Sequence, residues 1–261
     1  MSEPIPYSVL SGRRIVITRP PGQADALARL LAAHGAEPVF YPAVTIGPPH
    51  RPAALAAHWA AAAEGRFAWV VLTSANAIAW LPAHTLPAGV RVAAVGAGTA
   101  AAAQAAFGRP PTLVPAHASG AALAAALPDA EGTAVLVLHG ADAPPSLADA
   151  LRARGAHVTT AEAYTTGPGT GGADLPRLAA AGVLDALTFT SAGTVEGCFA
   201  RYAAEGGDPA HLARLPIAAM GESSARALAA HGLKGVAMAH ENTLTALVSA
   251  VAALFTRPGL R

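Results

Sequence analysis

The chain repeats itself, in an order that limits what it can fold into. IVITRPPGQADALARLLAAHGA, from Ile15, returns ungapped as VLVLHGADAPPSLADALRARGA, from Val135. Gly35 recurs as Gly155, Leu27 as Leu147 and Leu31 as Leu151, a constant spacing of 120 residues. A second unit also recurs. Thr73-Ser74 returns as Thr190-Ser191, and Val95-Gly96-x-x-Thr99-Ala100 as Met220-Gly221-x-x-Ser224-Ala225. Ser119-x-x-x-Leu123 returns as Thr243-x-x-x-Leu247. The order is A-B-A-B, which predicts two similar domains. The repeats leave open whether each domain takes its A and B in chain order or from different places.

The content of the repeat is α/β. Arg14 to Thr18 is a short β-branched run that stops at Pro20-Pro21-Gly22 and reads as a buried strand. Gln23 to His34 carries Leu27, Leu30 and Leu31 at helical spacing, and Gly35 stops it. Pro38 to Pro42 is extended again. Strand, helix and strand at this spacing form a βαβ unit, hence a parallel sheet. Further strands are predicted at Phe67–Leu72, Arg91–Val95, Thr112–Val114, Thr133–Leu138, Val158–Tyr164, Leu187–Phe189, Pro216–Met220 and Val236–Met238. Helices are predicted after Thr73-Ser74 towards Leu81, from Gly96 to near Gly108, from Ser119 to before Pro128, over Ser146–Arg154 and from Thr243. Thr166 to Gly172, TGPGTGG, is the most linker-like stretch.

Composition excludes several function classes. With 53% apolar residues the chain can build a core and is not disordered. A net charge of +1 lacks the basic face of a nucleic-acid binder. One cysteine, Cys198, rules out a disulfide scaffold and a Cys-based zinc site; on its apolar stretch it reads as a core residue. The histidines form no H-x-H, H-x-x-x-H or H-E-x-x-H pattern, and no G-x-S-x-G elbow occurs, so no metal is expected. The opening MSEPIPYSVLSGRR has no apolar region of the signal-peptide kind. The alanine-rich run Ala53–Ala63 is interrupted by His58 and too short to span a bilayer. The expectation is a cytoplasmic protein in a reducing compartment.

The strongest chemical signal is a hydroxyl just after a strand and at a helix start. It occurs at Thr73-Ser74, Thr99, Thr190-Ser191 and Ser223-Ser224. Helix N-termini offer free N–H groups and partial positive charge, and parallel strand ends converge on one ligand-binding edge. Two such edges facing one another suit a ligand with many carboxylates. The same hydroxyls also serve as ordinary N-caps. Arg19 follows the first strand directly, and Tyr164 stands before the glycine-rich stretch. Gly96-x-Gly98-x-x-Ala101 resembles a dinucleotide fingerprint, but Leu113 to His117 lacks the acidic residue that fingerprint needs.

In their order, IVITRP-x-x-Q-A, GAEPVFYP, VVLTSANAI, AVGAGTA, VLVLHG…LADALRARGAHVTTAEAY, LTFTSAGTV and AAMGESSARAL…HGL resemble the uroporphyrinogen-III synthase family from about Gly12 to Leu254. The resemblance implies two flavodoxin-like parallel-sheet domains with a cleft between them, joined by a two-stranded connector at residues 41–46 and 158–166. It implies that domain 1 is discontinuous, residues 1–40 plus 167–261, and that domain 2 is 47–157. It implies a hydro-lyase that cyclises hydroxymethylbilane, inverts ring D and loses water, with no cofactor or metal. It also implies a monomer, with transient contact with hydroxymethylbilane synthase. Tyr164 is the implied catalytic residue, assisting departure of the hydroxyl. The family's Gly-x-x-Thr-Ala residues fall on Gly96, Thr99, Gly221 and Ser224; together with the strand-end reading, the candidate substrate-binding set is Thr18, Arg19, Thr73, Ser74, Asn76, Gly96, Thr99, His139, Thr190, Ser191, Gly221, Ser223 and Ser224. The sequence departs from the family where many members carry arginines, at His139-Gly140-Ala141-Asp142-Ala143-Pro144-Pro145. Outside that family, a two-domain polycarboxylate-binding protein without turnover has the same features.

Overall fold

A computed structural model describes residues 9–256. The opening residues read for a targeting segment lie, up to residue 8, outside the described residues. The chain divides into two compact units. One takes the chain up to Thr45 and again from Gly167; the other is Ile46–Thr166.

The first unit begins with β1 (Arg14–Ile17), α1 (Asp25–Ala33) and β2 (Glu37–Phe40). The chain then enters the second sheet, whose strands are β3 (Val44–Gly47), β4 (Trp69–Leu72), β5 (Arg91–Ala94), β6 (Ala134–Gly140) and β7 (His157–Pro168). Between these strands lie α2 (Pro52–Ala63), α3 (Ala97–Phe107), α4 (Gly120–Ala126) and α5 (Ser146–Ala153). The late segment returns to the first unit. It adds α6 (Leu175–Ala180), β8 (Ala186–Phe189), α7 (Ala192–Ala204), α8 (Pro209–Ala213), β9 (Ile217–Ala219), α9 (Glu222–Ala230), β10 (Ala237–Met238) and α10 (Leu244–Thr256). The unit boundaries fall inside β3 and β7.

The first sheet has the order β10-β9-β8-β1-β2, parallel throughout; the second has β3-β7-β6-β4-β5. The first A strand thus pairs with the second B strand, and the first B strand with the second A strand. Their registers match. Val16 pairs with Leu187 in one sheet, and the repeat-related Leu136 pairs with Val70 in the other.

Each sheet is covered on both faces, which is why its strands read as unbroken apolar runs. Ile15 and Ile17 pack with Leu27, Leu31, Leu247 and Val251, while Val16 points to the opposite cluster of Phe189, Val195, Tyr202 and Leu228. In the second unit Leu136 and Leu138 join Leu55, Trp59 and Ile78, and Val135 and Val137 join Leu123, Leu147 and Leu151. The repeat's glycines end α1 and α5 in one way. Gly35 (φ 82°) and Gly155 (φ 83°) adopt the left-handed conformation, and the next residue's N–H donates to the carbonyl of Leu31 or Leu151, each at 3.1 Å.

Three local expectations need correction. The segment after Ser74 is a 3-10 helix, Ala75–Trp80, not an α-helix, because Pro82 forces Leu81 out of helical conformation. Thr112–Val114 forms one bridge, Ala93 to Leu113, because Pro110, Pro111 and Pro115 remove ladder donors around it. The stretch from Thr166 is not a free linker. β7 runs to Pro168, Gly169 donates to Ala43 O at 3.1 Å, and Ala173 donates to Phe40 O at 2.7 Å.

Candidate functional site

In an open parallel sheet, the ligand site lies beyond the carboxyl ends of the strands, where the strand order reverses. Each sheet has one such point. In the first it falls between β1 and β8, in the second between β6 and β4. The predicted site residues gather at these edges.

At the first edge, Thr18 is fully buried and donates its hydroxyl to Thr188 O at 2.7 Å. Thr188 returns the contact, donating to Val16 O at 2.7 Å. Arg19, one residue on, is half-buried; its Nη2 lies 3.4 Å from Gln23 Oε1 and its Nε is buried without a partner. Burial lowers the pKa of this guanidinium from its usual value. Thr190 is half-buried, and Ser191 caps α7 in a reciprocal box with Thr194, each contact 3.2 Å. Gly221 is the N-cap of α9. Ser223 is exposed, whereas Ser224 is 1% exposed with an unpartnered Oγ.

At the second edge, Thr73 donates to Leu138 O at 3.0 Å and ties β4 to β6. Ser74 caps the 3-10 helix, accepting from the Asn76 N–H at 3.2 Å. Gly96 is the N-cap of α3, and Thr99 is buried in its first turn. His139 stands 120 residues after Arg19, so the two repeats place a cationic or titratable side chain at the same point of each sheet. Its Nδ1 is 2.8 Å from Gly140 O. Tyr164 is half-buried on β7, beside Gly140, where the register slips by one residue.

Two residues escaped the sequence reading. Gly140 makes room for the Tyr164 ring: a Cβ there would lie 2.7 Å from Tyr164 Cζ. Glu162, opposite His139, accepts from the His50 N–H, and that backbone contact holds its carboxyl below the usual range. A glycine directly after a strand-end histidine was the only sequence signal for the first. Among the described residues no three His, Cys, Asp or Glu side chains gather as a metal site, and no helix is long and apolar enough to cross a membrane.

Two sheets, each with hydroxyls and one basic side chain, Arg19 or His139, at its switch point, define an α/β protein of the class whose strand ends form ligand sites. Residues 25–249 match the profile of the uroporphyrinogen-III synthase HemD family. The chain belongs to this family, whose members are cyclising lyases of tetrapyrrole biosynthesis. A mutant uroporphyrinogen III synthase from the extreme thermophile Thermus thermophilus has a similar crystal structure, with 20% identity, TM-score 0.60, and coverage of 93% of this chain and 98% of that one. The uroporphyrinogen-III synthetase of Helicobacter pylori is similar at 14% identity, TM-score 0.57, 93% and 99% coverage. No curated protein matches the sequence.

Proposed function

We propose that this chain cyclises hydroxymethylbilane with inversion of ring D and loss of water, giving uroporphyrinogen III. Two flavodoxin-like domains joined through residues 41–46 and 158–166 would each offer one strand edge to the substrate. The strand orders, which follow the 2-1-3-4 pattern of that fold class, support this reading. The observation that carries it is the pairing of like edges. Repeat-related strands meet in identical register and bring a Thr-Ser pair, Thr190-Ser191 or Thr73-Ser74, to each switch point.

In this reading, catalysis is mostly positioning. The substrate's ring-A terminus must meet ring D at its substituted carbon, which requires the linear tetrapyrrole to be held curled. Backbone N–H groups at the starts of α3, α7 and α9, with Arg19 and His139, would hold its carboxylates. Tyr164 would donate a hydrogen bond, or its phenolic proton, to the departing hydroxyl. The chain's own groups supply all of this, and the proposed enzyme is a cytoplasmic monomer that meets hydroxymethylbilane synthase transiently.

The test is a coupled assay with hydroxymethylbilane synthase, with the oxidised isomers separated. Hydroxymethylbilane alone closes to the type I isomer. Adding this protein should divert the product to type III. An unchanged isomer ratio at stoichiometric protein would mean that it binds without turnover, or binds something else.

A further inference from the structure

We propose that the second unit holds a dedicated pocket for one carboxylate-tipped arm of the substrate, with Arg152 as the carboxylate's partner. The inference rests on the synthase reading for the identity of the ligand, and on the following geometry for the site.

A slot of about 200 Å³ lies where α5 packs on β6 and β7. Thr73 and His139, at the two strand ends that flank the switch point, line it together with Pro144 of the following loop. Leu147, Thr160 and Arg152 line it as well. Its lining contains no carboxylate among the described residues. A lining that combines apolar side chains with one guanidinium matches a short methylene arm that ends in a carboxylate.

Arg152 has donors to spare. Arg152 Nη1 is 3.0 Å from Asp149 Oδ1, and Nη2 is 3.4 Å from Val158 O. A guanidinium carries five N–H donors, so the others stay available for a second, planar acceptor. The Asp149 contact is an exposed pair between residues three apart, which holds an arginine only weakly. His139 directs Nδ1–H to Gly140 O, which leaves Nε2 of the neutral ring an acceptor, so the carboxylate's charged partner in the slot is Arg152. Arg152 is also absent from the other copy of the repeat, where Ala32 stands 120 residues earlier. The helix therefore does not need an arginine at this position to fold. Arg152 is the one arginine among the residues that line the slot, beside His139 and the loop residues Ala143, Pro144 and Pro145.

Two measurements test this. In the first, the whole protein is titrated with sodium propionate and followed by amide NMR. Saturable shifts at Thr160 and His139 in the wild type that disappear in Arg152→Gln support the pocket; no saturable shift, or an identical one in Arg152→Gln, overturns it. This arm needs no turnover, so it stands even if the isomer assay fails. In the second, type III formation is measured. Arg152→Gln should raise KM about tenfold, the loss expected of one charged hydrogen bond, with kcat within about twofold. Arg152→Lys should recover part of that, and Asp149→Asn should leave KM unchanged. A wild-type KM in Arg152→Gln alongside normal type III production overturns the pocket and leaves the synthase reading intact.

Discussion

The Tyr164 ring lies against the bare backbone of Gly140, so close that a single added carbon at Gly140 would lie 2.7 Å from Cζ and 2.9 Å from the phenol oxygen. The bulge in the β6–β7 register between His139 and Gly140 brings the two residues together. Gly140→Ala should therefore displace the ring. Its activity should fall together with that of Tyr164→Phe. The Phe variant should melt within about 1 kcal/mol of wild type, because only a hydroxyl is removed. It should lose about a hundredfold in type III turnover, the lower end of general-acid assistance. Wild-type turnover in Tyr164→Phe would remove the phenol from the chemistry and leave positioning alone.

Thr18 and Thr188 exchange hydroxyl-to-carbonyl contacts across β1 and β8 inside a fully buried strand pair. Thr18→Val leaves a buried carbonyl without its donor, which costs about 1–3 kcal/mol. We expect a lower melting temperature with KM unchanged, and recovery in Thr18→Ser. A changed KM at wild-type stability would reassign Thr18 to the ligand.

Ser224 is the reverse case. Its hydroxyl is buried and has no partner, so Ser224→Ala should leave stability equal or raised. If the hydroxyl meets a substrate carboxylate, type III formation should drop about ten- to a hundredfold, which corresponds to one charged hydrogen bond. A variant both stable and fully active would mark Ser224 as scaffold only.

Burial pushes the Cys198 thiol up to about 12. At pH 8 it stays a protonated thiol within the core, so a thiol-reactive dye should label it only after denaturant has unfolded the first unit. Rapid labelling of the native protein would contradict this packing.

Glu162 has a lowered pKa, caused first by the His50 backbone N–H. A carboxyl depressed in the folded state stabilises it above the group's ordinary pKa, 4.5 here, and that contribution is lost as pH falls through the folded value. The melting-temperature gap between wild type and Glu162→Gln should thus be open at pH 7 and close in acid. A gap independent of pH would place the effect in packing rather than charge.

Much of the fold was legible because covered parallel strands are runs of Val, Ile and Leu, and because Gly35 and Gly155 mark where α1 and α5 stop. The helices that escaped notice, such as α2, with the sequence PAALAAHWAAAA, are alanine-rich. Alanine fits either face, so the apolar stripe that betrays a surface helix is blurred. The strand-end hydroxyls could be found from position alone. Their division of labour could not: Thr18 and Thr73 hold strands together, Ser74 and Ser191 cap helices, and Ser224 holds nothing. Gly140 and Arg152 were hidden for a different reason. One acts through a residue on the next strand, and the other looks like any arginine on an exposed helix turn.

The interleaved pairing of β1 with β8 has a consequence for biosynthesis. The hydroxyl of Thr18 must await a carbonyl 170 residues later in the chain. At typical elongation rates of about 5–20 residues per second, β1-α1-β2 leaves the ribosome roughly ten to thirty seconds before its central neighbour exists. The unit Ile46–Thr166 is contiguous and can complete itself in that interval. The earliest-made strands are therefore the ones that stay longest with an open edge, Ile15 and Val16 among them. During synthesis, a chaperone would be expected to engage this segment rather than the middle of the chain.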